Sequence, residues 1–416
     1  MPNLVLSRPS VRLAGAAVAL AASLLLSACQ TMPGWMLVQG KAQVTDHLHF
    51  ANLPMARPAT PWVLPTERGV TLQWPGKPST AAAEAWLQTK DTTALIVLRR
   101  GKVVYERYFG GFKRDTVGTS FSMSKSVVSL LIGVAIAEGR IGSVEDPVTR
   151  YLPDLLRNDP RFAQVRLRHL LQMRSGVAFD EGYFSPFSDA SHYYLTTDLP
   201  AQIKLLQIAR PPGQDFSYQS GDTQLLGMAL ERAVGQPLPS YAQAKLWQPM
   251  GAEFDATWSV DSAASGVTKA FCCINARAID FARLGQLVLQ NGQRTDQRGI
   301  RRIIPAAWLR ASTTAQLENE APPGASDAAR RNIEDPGLPG SSFYAWQWRR
   351  APQPRPDPGP VPSEAMQPGS DFYAAGLLGQ YIYIAPETQT VIVRLGWRND
   401  EPFWAEWLGA LARMNP

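Results

Sequence analysis

The chain of 416 residues is poor in the side chains that usually hold metals or disulfide frameworks, with only three cysteines and four histidines. Cys272 and Cys273 are adjacent. Because adjacent cysteines can be bridged only through a strained ring, we expect two reduced, partly buried thiols there. His47 and His49 form a His-x-His pair, but chance explains this pair better than a zinc site does. The sequence therefore predicts no metal centre.

The sequence also lacks clustered charge. Its formal net charge is +6, from 41 Lys and Arg residues against 35 Asp and Glu residues, and the basic residues are scattered rather than gathered in runs with aromatic residues. This distribution argues against nucleic acid as a partner. The hydrophobic share of 45% is ordinary for a globular protein. A chain of this length can form one large domain or two sub-domains around a substantial core.

No apolar run reaches the ~20 residues that a membrane-spanning helix needs. The N-terminus instead has two arginines, then the short apolar stretch AAVALAASLLLSA and then a cysteine, a pattern typical of a secretory signal peptide. Its end, Leu26-Ser27-Ala28-Cys29, resembles the bacterial lipobox, in which cleavage precedes a cysteine that is then lipidated. We therefore expect residues 1–28 to be a lipoprotein signal peptide and Cys29 to carry a lipid anchor.

That anchor predicts a place in the bacterial cell envelope. Gln30, the residue after Cys29, is typical of lipoproteins sent to the outer membrane, so we expect the protein there, facing the periplasm. The membrane would be a partner only through the N-terminal lipid. A plain signal peptide followed by a chance cysteine is the alternative.

The rest of the chain changes character along its length. Residues 29–85 are rich in proline and read as a tether with an irregular extension, and residues 86–416 as the folded domain. This domain opens with a helix and a hairpin, is mostly helical over about 150–310, and ends with two β-rich runs and an amphipathic helix. A proline-rich insertion occupies 351–369. The pattern predicts an α/β (α+β) fold with a sheet built from both ends of the chain and an inserted helical sub-domain.

One candidate catalytic motif stands at the start of an apolar helix. The stretch SFSMSKSVVSLLIG contains the chain's only Ser-x-x-Lys, with Ser122 and Lys125 three residues apart. Residues at this spacing share one helix face. The motif alone is weak, because a serine that caps the helix and a solvated lysine would give the same pattern.

A serine hydroxyl needs a base to become a good nucleophile, and none of the four histidines is persuasive for that role. The chain also has no Gly-x-Ser-x-Gly elbow. Lysine can serve if it is neutral, and burial together with the positive end of the helix dipole would lower the pKa of Lys125. The Ser122 amide at the same helix end could bind a developing oxyanion.

Two later stretches offer the missing parts of such a site. Tyr218-Gln219-Ser220 lies in a polar loop before a helix and would bring a phenol and a hydroxyl into a cleft. Gly376 begins a strand where a close backbone approach is possible, so the Leu377 amide could face a substrate carbonyl. The simpler alternatives are a packing tyrosine and a turn glycine.

Taken in order, these stretches resemble the serine β-lactamase and penicillin-binding superfamily, most closely the class C-like esterases and 6-aminohexanoate-dimer hydrolases. The resemblance implies a β-lactamase-like fold with a central antiparallel sheet flanked by helices. It also implies that Ser122 is acylated, that Lys125 is its base, and that Tyr218 relays a proton to the leaving group. Water would then hydrolyse the acyl-enzyme, with no cofactor. The Ser122 and Leu377 amides would form the oxyanion hole.

The same resemblance suggests substrate-binding residues. Ser220 stands where many relatives carry asparagine, Gly376 would allow close approach to substrate, and Tyr183 is similar to a loop tyrosine that closes over substrate. The loop around Tyr183 is rich in aromatic residues, so packing is the alternative for that residue.

A departure from the family pattern bears on the substrate. Ala374-Ala375-Gly376 replaces the usual Lys-Thr-Gly or His-Thr-Gly, so the cation and hydroxyl that engage a penicillin carboxylate are missing. We therefore expect a serine hydrolase acting on a small amide or ester. A D,D-peptidase or β-lactamase is the enzymatic alternative, and a non-catalytic envelope-binding lipoprotein is the alternative from another class.

Overall fold

The computed structural model describes residues 34–183, 185–296, 299–314, 343–353, 368–399 and 403–415. The predicted signal peptide at 1–28 and the predicted lipidation site Cys29 lie outside these residues. So does most of the predicted proline-rich insertion, of which 351–353 and 368–369 are described, largely as parts of strands.

The described strands are β1 Ala51–Met55, β2 Thr92–Arg99, β3 Lys102–Tyr108, β4 Gly118–Thr119, β5 Ala256–Val260, β6 Ile274–Ala276, β7 Gln293–Asp296, β8 Gly299–Arg302, β9 Tyr344–Ala345, β10 Trp348–Pro352, β11 Pro368–Gly376, β12 Gln380–Ala385 and β13 Thr390–Gly396. The described α-helices are α1 Gly34–Gln39, α2 Thr80–Thr89, α3 Met123–Ala137, α4 Leu155–Asn158, α5 Leu167–Leu171, α6 Asp189–Leu195, α7 Leu199–Ile203, α8 Ser220–Val234, α9 Leu238–Ala242, α10 Ala278–Leu289, α11 Ala306–Thr313 and α12 Trp404–Met414.

The central sheet joins strands from both ends of the chain, as the sequence predicts. Its order is β3-β2-β13-β12-β11-β10-β9, and all neighbouring pairs are antiparallel. β2 and β13 are apolar along nearly their whole length because both faces of the sheet are covered. Ile96 and Leu98 face the larger core, which includes helix α3, whereas Leu95 and Val97 face the core formed with α2 and α12.

The predicted local elements near the sheet are confirmed. The hairpin of β2 and β3 forms at Arg100-Gly101, where both residues adopt positive φ. α2 begins after Ser79, whose hydroxyl accepts a hydrogen bond from the Ala82 amide. The region from 150 to 310, expected to be mostly helical, contains helices α4 to α10 and also the strands β5 to β8, and α8 packs against α3. This contact places the loop before α8 beside the start of α3.

Residues 34–55, which lie within the predicted tether and N-terminal extension at 29–85, are built into the fold. β1 pairs antiparallel with β5, with Ala51 opposite Val260. The fully buried carboxylate of Asp46 accepts a hydrogen bond of 2.7 Å from the Tyr194 hydroxyl. The tether prediction therefore does not describe these residues, because their partners lie far away in the sequence. Among the described helices, none combines the length and the apolar character that crossing a bilayer requires.

Candidate active site

Ser122 lies at the junction between β4 and α3, where the backbone is tightly constrained. Phe121 has a positive φ of 46°, an uncommon conformation for a large side chain. Ser120 is tied to β6, because its amide donates to the Ile274 carbonyl and its hydroxyl accepts from the Ile274 amide. The Ser122 side chain makes no capping hydrogen bond to α3. The interpretation of Ser122 as a simple helix cap is therefore not supported.

Lys125 is buried beneath Ser122, with 1% of its surface exposed against 9% for the serine. Its Nζ lies 3.2 Å from the Ser122 Oγ, 3.1 Å from the Ser220 Oγ and 3.0 Å from the Phe271 carbonyl oxygen. A lysine solvated on the first helical turn would show none of these contacts. The structure thus brings Ser122, Lys125 and Ser220 together in one hydrogen-bonded set.

Tyr218 lies beside this set. Its ring centroid is 5.1 Å from the Lys125 Nζ, and the Arg349 guanidinium lies over the same ring at 4.7 Å. The ring also packs with Phe216 and Tyr344 in a small aromatic cluster. The structure therefore places Tyr218 at the base of the site and also gives it a packing role, and proton transfer by its hydroxyl stays a prediction.

Gly376 is the last residue of β11, not the first residue of a strand as the sequence predicts, and it lies against the turn that precedes Ser122. A Cβ at this position would overlap the Ser120 carbonyl oxygen and lie 3.2 Å from the Ser122 amide nitrogen. Only glycine allows two backbones to approach this closely. Leu377, the next residue, lines the same cleft as Ser122. The predicted pair of oxyanion donors, the amides of Ser122 and Leu377, therefore belongs to two segments held together at Gly376.

The cleft above Ser122 has a volume of about 330 Å³, and most of its lining is apolar or aromatic. Tyr183 and Ser220, which are predicted to bind substrate, line it together with Leu377, a predicted oxyanion donor. One wall comes from the N-terminal segment, which contributes Met36, Gly40, Lys41 and Ala42. Nothing in the sequence of that segment marks it as part of a site, because its position depends on tertiary contacts.

Comparison with known proteins agrees with this arrangement. The sequence model of the beta-lactamase family matches residues 81–409. The chain belongs to this family. The 6-aminohexanoate-dimer hydrolase of Paenarthrobacter ureafaciens is 27% identical over 325 residues, which cover 75% of this chain and 74% of that protein. Esterase EstB of Burkholderia gladioli is 28% identical over 179 residues, covering 38% of this chain and 44% of the esterase.

A solved structure shows the same fold. It is a provisionally named 6-aminohexanoate-dimer hydrolase from Bacillus anthracis, with a TM-score of 0.70 and 22% identity, and it covers 89% of this chain and 92% of its own. The predicted β-lactamase-like fold is therefore confirmed. Membership of the beta-lactamase family, together with hydrolase and esterase relatives, identifies the chain as a serine hydrolase, as predicted.

Sequence reasoning missed Glu181, an acidic residue that contacts Ser220 beneath the Ser-x-x-Lys pair. Its carboxylate is 4% exposed and accepts hydrogen bonds from the Ser220 amide at 2.6 Å, the Ser220 hydroxyl at 2.7 Å and the Tyr183 hydroxyl at 2.8 Å. Burial raises the pKa of Glu181, and Lys125 opposes that rise. In the sequence Glu181 is one acidic residue in an aromatic loop, with no spacing that links it to Lys125.

A second buried carboxyl lies one layer deeper. Asp222 is fully buried on α8, and its Oδ1 accepts hydrogen bonds from the Ser175 hydroxyl at 2.5 Å and the Gln219 side-chain amide at 2.7 Å. Burial raises the pKa of Asp222 to about 8, and the nearby Glu181 carboxylate contributes to that rise. Two buried carboxyl groups therefore lie one behind the other beneath Ser220, and burial raises the pKa of both.

The prediction that Cys272 and Cys273 are reduced thiols is wrong, because the structure pairs them in a disulfide. The backbone turns sharply here, with φ of 77° at Cys273, and it is fixed by bonds from Trp258 Nε1 to the Cys272 carbonyl and from the Ser259 amide to the Cys273 carbonyl. This turn makes bridging of neighbours possible. Cys272 also lines the cleft.

Among the described residues, no three His, Cys, Asp or Glu side chains are grouped to hold a metal ion.

Replacing Gly376 with alanine should damage the site more than the fold. The added Cβ would push β11 away from the Ser120 carbonyl and so separate the two oxyanion donors. We expect acylation to slow by about 10²- to 10³-fold, the usual cost of losing one such donor, and stability to fall by about 1 to 3 kcal/mol from overpacking. Stopped-flow labelling and thermal unfolding would measure these effects.

Gly118→Ala is a matched control for this substitution. Its Cβ would meet only the Leu395 Cδ1 at 3.9 Å, an ordinary contact, and it lies two residues from the same turn. We expect acylation within about twofold of the wild-type rate. A Gly376→Ala variant that acylates as fast as Gly118→Ala would contradict the oxyanion assignment.

Proposed function

We propose that this chain hydrolyses short linear amides or esters through an acyl-enzyme on Ser122. The observation that carries the proposal is the buried contact of Lys125 Nζ with both Ser122 and Ser220 at the floor of the cleft. In the first step the Ser122 oxygen attacks the substrate carbonyl while Lys125 takes the hydroxyl proton. The Ser122 and Leu377 amides stabilise the oxyanion. The proton held by Lys125 then passes through the Tyr218 hydroxyl to the leaving amine or alcohol, and water hydrolyses the acyl-enzyme, which releases the acid and restores the Ser122 hydroxyl.

The make-up of the cleft supports a linear, largely apolar substrate. Where many family members carry a cation and a hydroxyl, this chain has Ala374 and Ala375, both buried. The lining is mainly apolar and aromatic, with Tyr183 and Tyr194 among its residues and Lys41 at the N-terminal wall. The names of the relatives, a 6-aminohexanoate-dimer hydrolase and an esterase, point the same way.

We also propose that the enzyme acts in the bacterial cell envelope, held to the outer membrane by lipid on Cys29 and facing the periplasm. The support is the sequence alone: the arginines, the short apolar stretch and the Leu26-Ser27-Ala28-Cys29 lipobox pattern. Membrane fractionation of a Cys29→Ser variant tests this anchor separately from the activity. We expect the variant to be released from the membrane fraction.

A substrate panel tests the proposed reaction. p-Nitrophenyl butyrate, a short linear amide, a D-Ala-D-Ala peptide and a chromogenic cephalosporin would be assayed side by side, with Ser122→Ala as the blank. We expect the ester or linear amide to be turned over at least ~10-fold more efficiently than the cephalosporin, since the missing charge-assisted contact costs about 1.5 to 3 kcal/mol.

Two results would contradict the proposal. Efficient turnover of the cephalosporin or the D-Ala-D-Ala peptide, at the level of the ester, would favour a β-lactamase or D,D-peptidase. Turnover of no substrate above the Ser122→Ala blank, together with no labelling by a fluorophosphonate, would favour a binding protein that retains the fold.

A further inference from the structure

We propose that the Cys272–Cys273 bridge is a redox site that opens onto the substrate cleft, and that its reduction by a small dithiol slows the acylation of Ser122. The bridge joins neighbouring residues, and Cys272 lines the cleft together with Phe271. The inference goes beyond the proposed function and rests on it only through its readout, the acylation rate of Ser122.

The two bridged residues differ in how a reagent can reach them. Cys272 is 4% exposed and belongs to the lining of the cleft, whereas Cys273 is fully buried in the core. The cleft, with a volume of about 330 Å³, is large enough to admit a small dithiol. A thiolate that enters through the cleft therefore meets Cys272 first.

The reaction is a thiol–disulfide exchange in two steps. A thiolate of the dithiol attacks the Cys272 sulfur, the bridge breaks, and the Cys273 sulfur leaves as a thiolate that takes up a proton. The second thiol of the reagent then attacks the mixed disulfide, which frees Cys272 as a thiol and leaves the reagent as a cyclic disulfide. Two electrons and two protons thus pass from the dithiol to the protein.

The bridge lies in a turn that is tied to strand β5. Trp258 Nε1 donates to the Cys272 carbonyl at 2.8 Å, and the Ser259 amide donates to the Cys273 carbonyl at 3.0 Å. Cys273 has a φ of 77°, a conformation that a residue with a side chain keeps only where its surroundings impose it. The bridge is a covalent part of that constraint, so the turn should relax when the bridge opens.

The same turn contacts the proposed base. The carbonyl oxygen of Phe271, the residue before the bridge, lies 3.0 Å from the Lys125 Nζ. Two thiols need more room than one bridge, because sulfur atoms that are no longer bonded keep a van der Waals distance. Since Cys273 has no exposed surface, opening the bridge should shift the Phe271 carbonyl and the cleft wall. Such a shift would slow acylation without removing any catalytic group.

The test compares the wild-type chain with a Cys272→Ser/Cys273→Ser double variant, each with and without dithiothreitol. Intact mass after alkylation reports whether the bridge is open, and stopped-flow labelling with a fluorophosphonate gives the acylation rate. We expect reduced wild type to acylate about 5- to 50-fold more slowly, with a retained thermal unfolding transition, and reoxidation to restore the rate. The double variant keeps Cys29 but has no bridge, so its rate should not respond to the dithiol.

Labelling before reduction tests the route of access. A fluorophosphonate attached to Ser122 occupies the cleft, so it should slow the reduction of the bridge by at least about fivefold. No such protection is expected in Ser122→Ala treated with the same probe.

Four results would overturn the inference. They are a bridge that dithiothreitol does not open in the folded chain, an open bridge with an unchanged labelling rate, loss of the unfolding transition on reduction, and an equal slowing by the dithiol in the double variant. Equally fast reduction of labelled and unlabelled enzyme would overturn the access through the cleft. Wild type that labels no better than Ser122→Ala would instead overturn the proposed function. The alkylation mass would still show whether the bridge opens, so the two failures are distinguishable.

Discussion

Ser122→Ala is expected to abolish covalent labelling by a fluorophosphonate and to reduce ester hydrolysis by on the order of 10⁴-fold or more. Labelling requires an activated hydroxyl, and the Ser122 Oγ is a hydroxyl that lies both in the cleft and 3.2 Å from the Lys125 Nζ on the neighbouring turn. Alanine removes that oxygen but keeps the backbone amide. Intact mass and gel fluorescence after probe treatment would measure the labelling.

Ser124→Ala provides the control within the same helical turn. Unlike Ser122, Ser124 is fully buried, and its hydroxyl donates to the carbonyls of Phe121 and Ala270. We expect this variant to keep its labelling and to lose about 1 kcal/mol of stability from the broken hydrogen bonds. If Ser122→Ala labels as strongly as Ser124→Ala, another residue is the nucleophile.

Lys125 should be the second most sensitive position. Lys125→Met removes the base but fills the same buried volume with an unbranched side chain, and we expect acylation to slow by about 10²- to 10⁴-fold. Lys125→Arg distinguishes a base from a fixed cation, because arginine keeps the charge and cannot be deprotonated in proteins. We expect Lys125→Arg to be as slow as Lys125→Met in single-turnover acylation.

Thermal unfolding of both variants shows whether a slower acylation rate results from loss of the folded state. The buried Nζ contacts three oxygen atoms, so each variant disturbs these hydrogen bonds and should unfold at a lower temperature. Loss of rate with a retained unfolding transition supports the assignment of the base. Rapid acylation by Lys125→Arg would show that Lys125 contributes charge rather than proton transfer.

Much of this arrangement could be predicted because its signals are local. The β2 and β3 hairpin, the apolar helix that follows Ser122 and the amphipathic final helix all show their periodicity within a dozen or so residues. The order of the Ser122, Tyr218 and Gly376 stretches along the chain is the basis of the family resemblance. Gly376 is the clearest case, since its need for close backbone approach was expected and the overlap of a Cβ with Ser120 supplies the reason.

The remaining parts of the site depend on contacts between distant residues. Glu181 meets Ser220 across 39 positions, and Ala51 of β1 pairs with the distant Val260 of β5, so no local pattern marks either contact. The paired state of Cys272 and Cys273 depends on the backbone turn at Cys273, which the residue types alone do not indicate. Each miss is a case in which tertiary contacts, rather than local preference, determine the outcome.

The N-terminal wall of the cleft has a consequence for how substrate arrives. Met36 lines the cleft and stands seven residues after Cys29, and an extended chain of about seven residues spans at most about 25 Å. In the lipid-anchored form that we propose, Met36 stays within that distance of the bilayer surface. The enzyme would then sample a thin layer of solution next to the membrane, where amphiphilic esters and amides concentrate, and lateral diffusion along the surface would add to three-dimensional encounter.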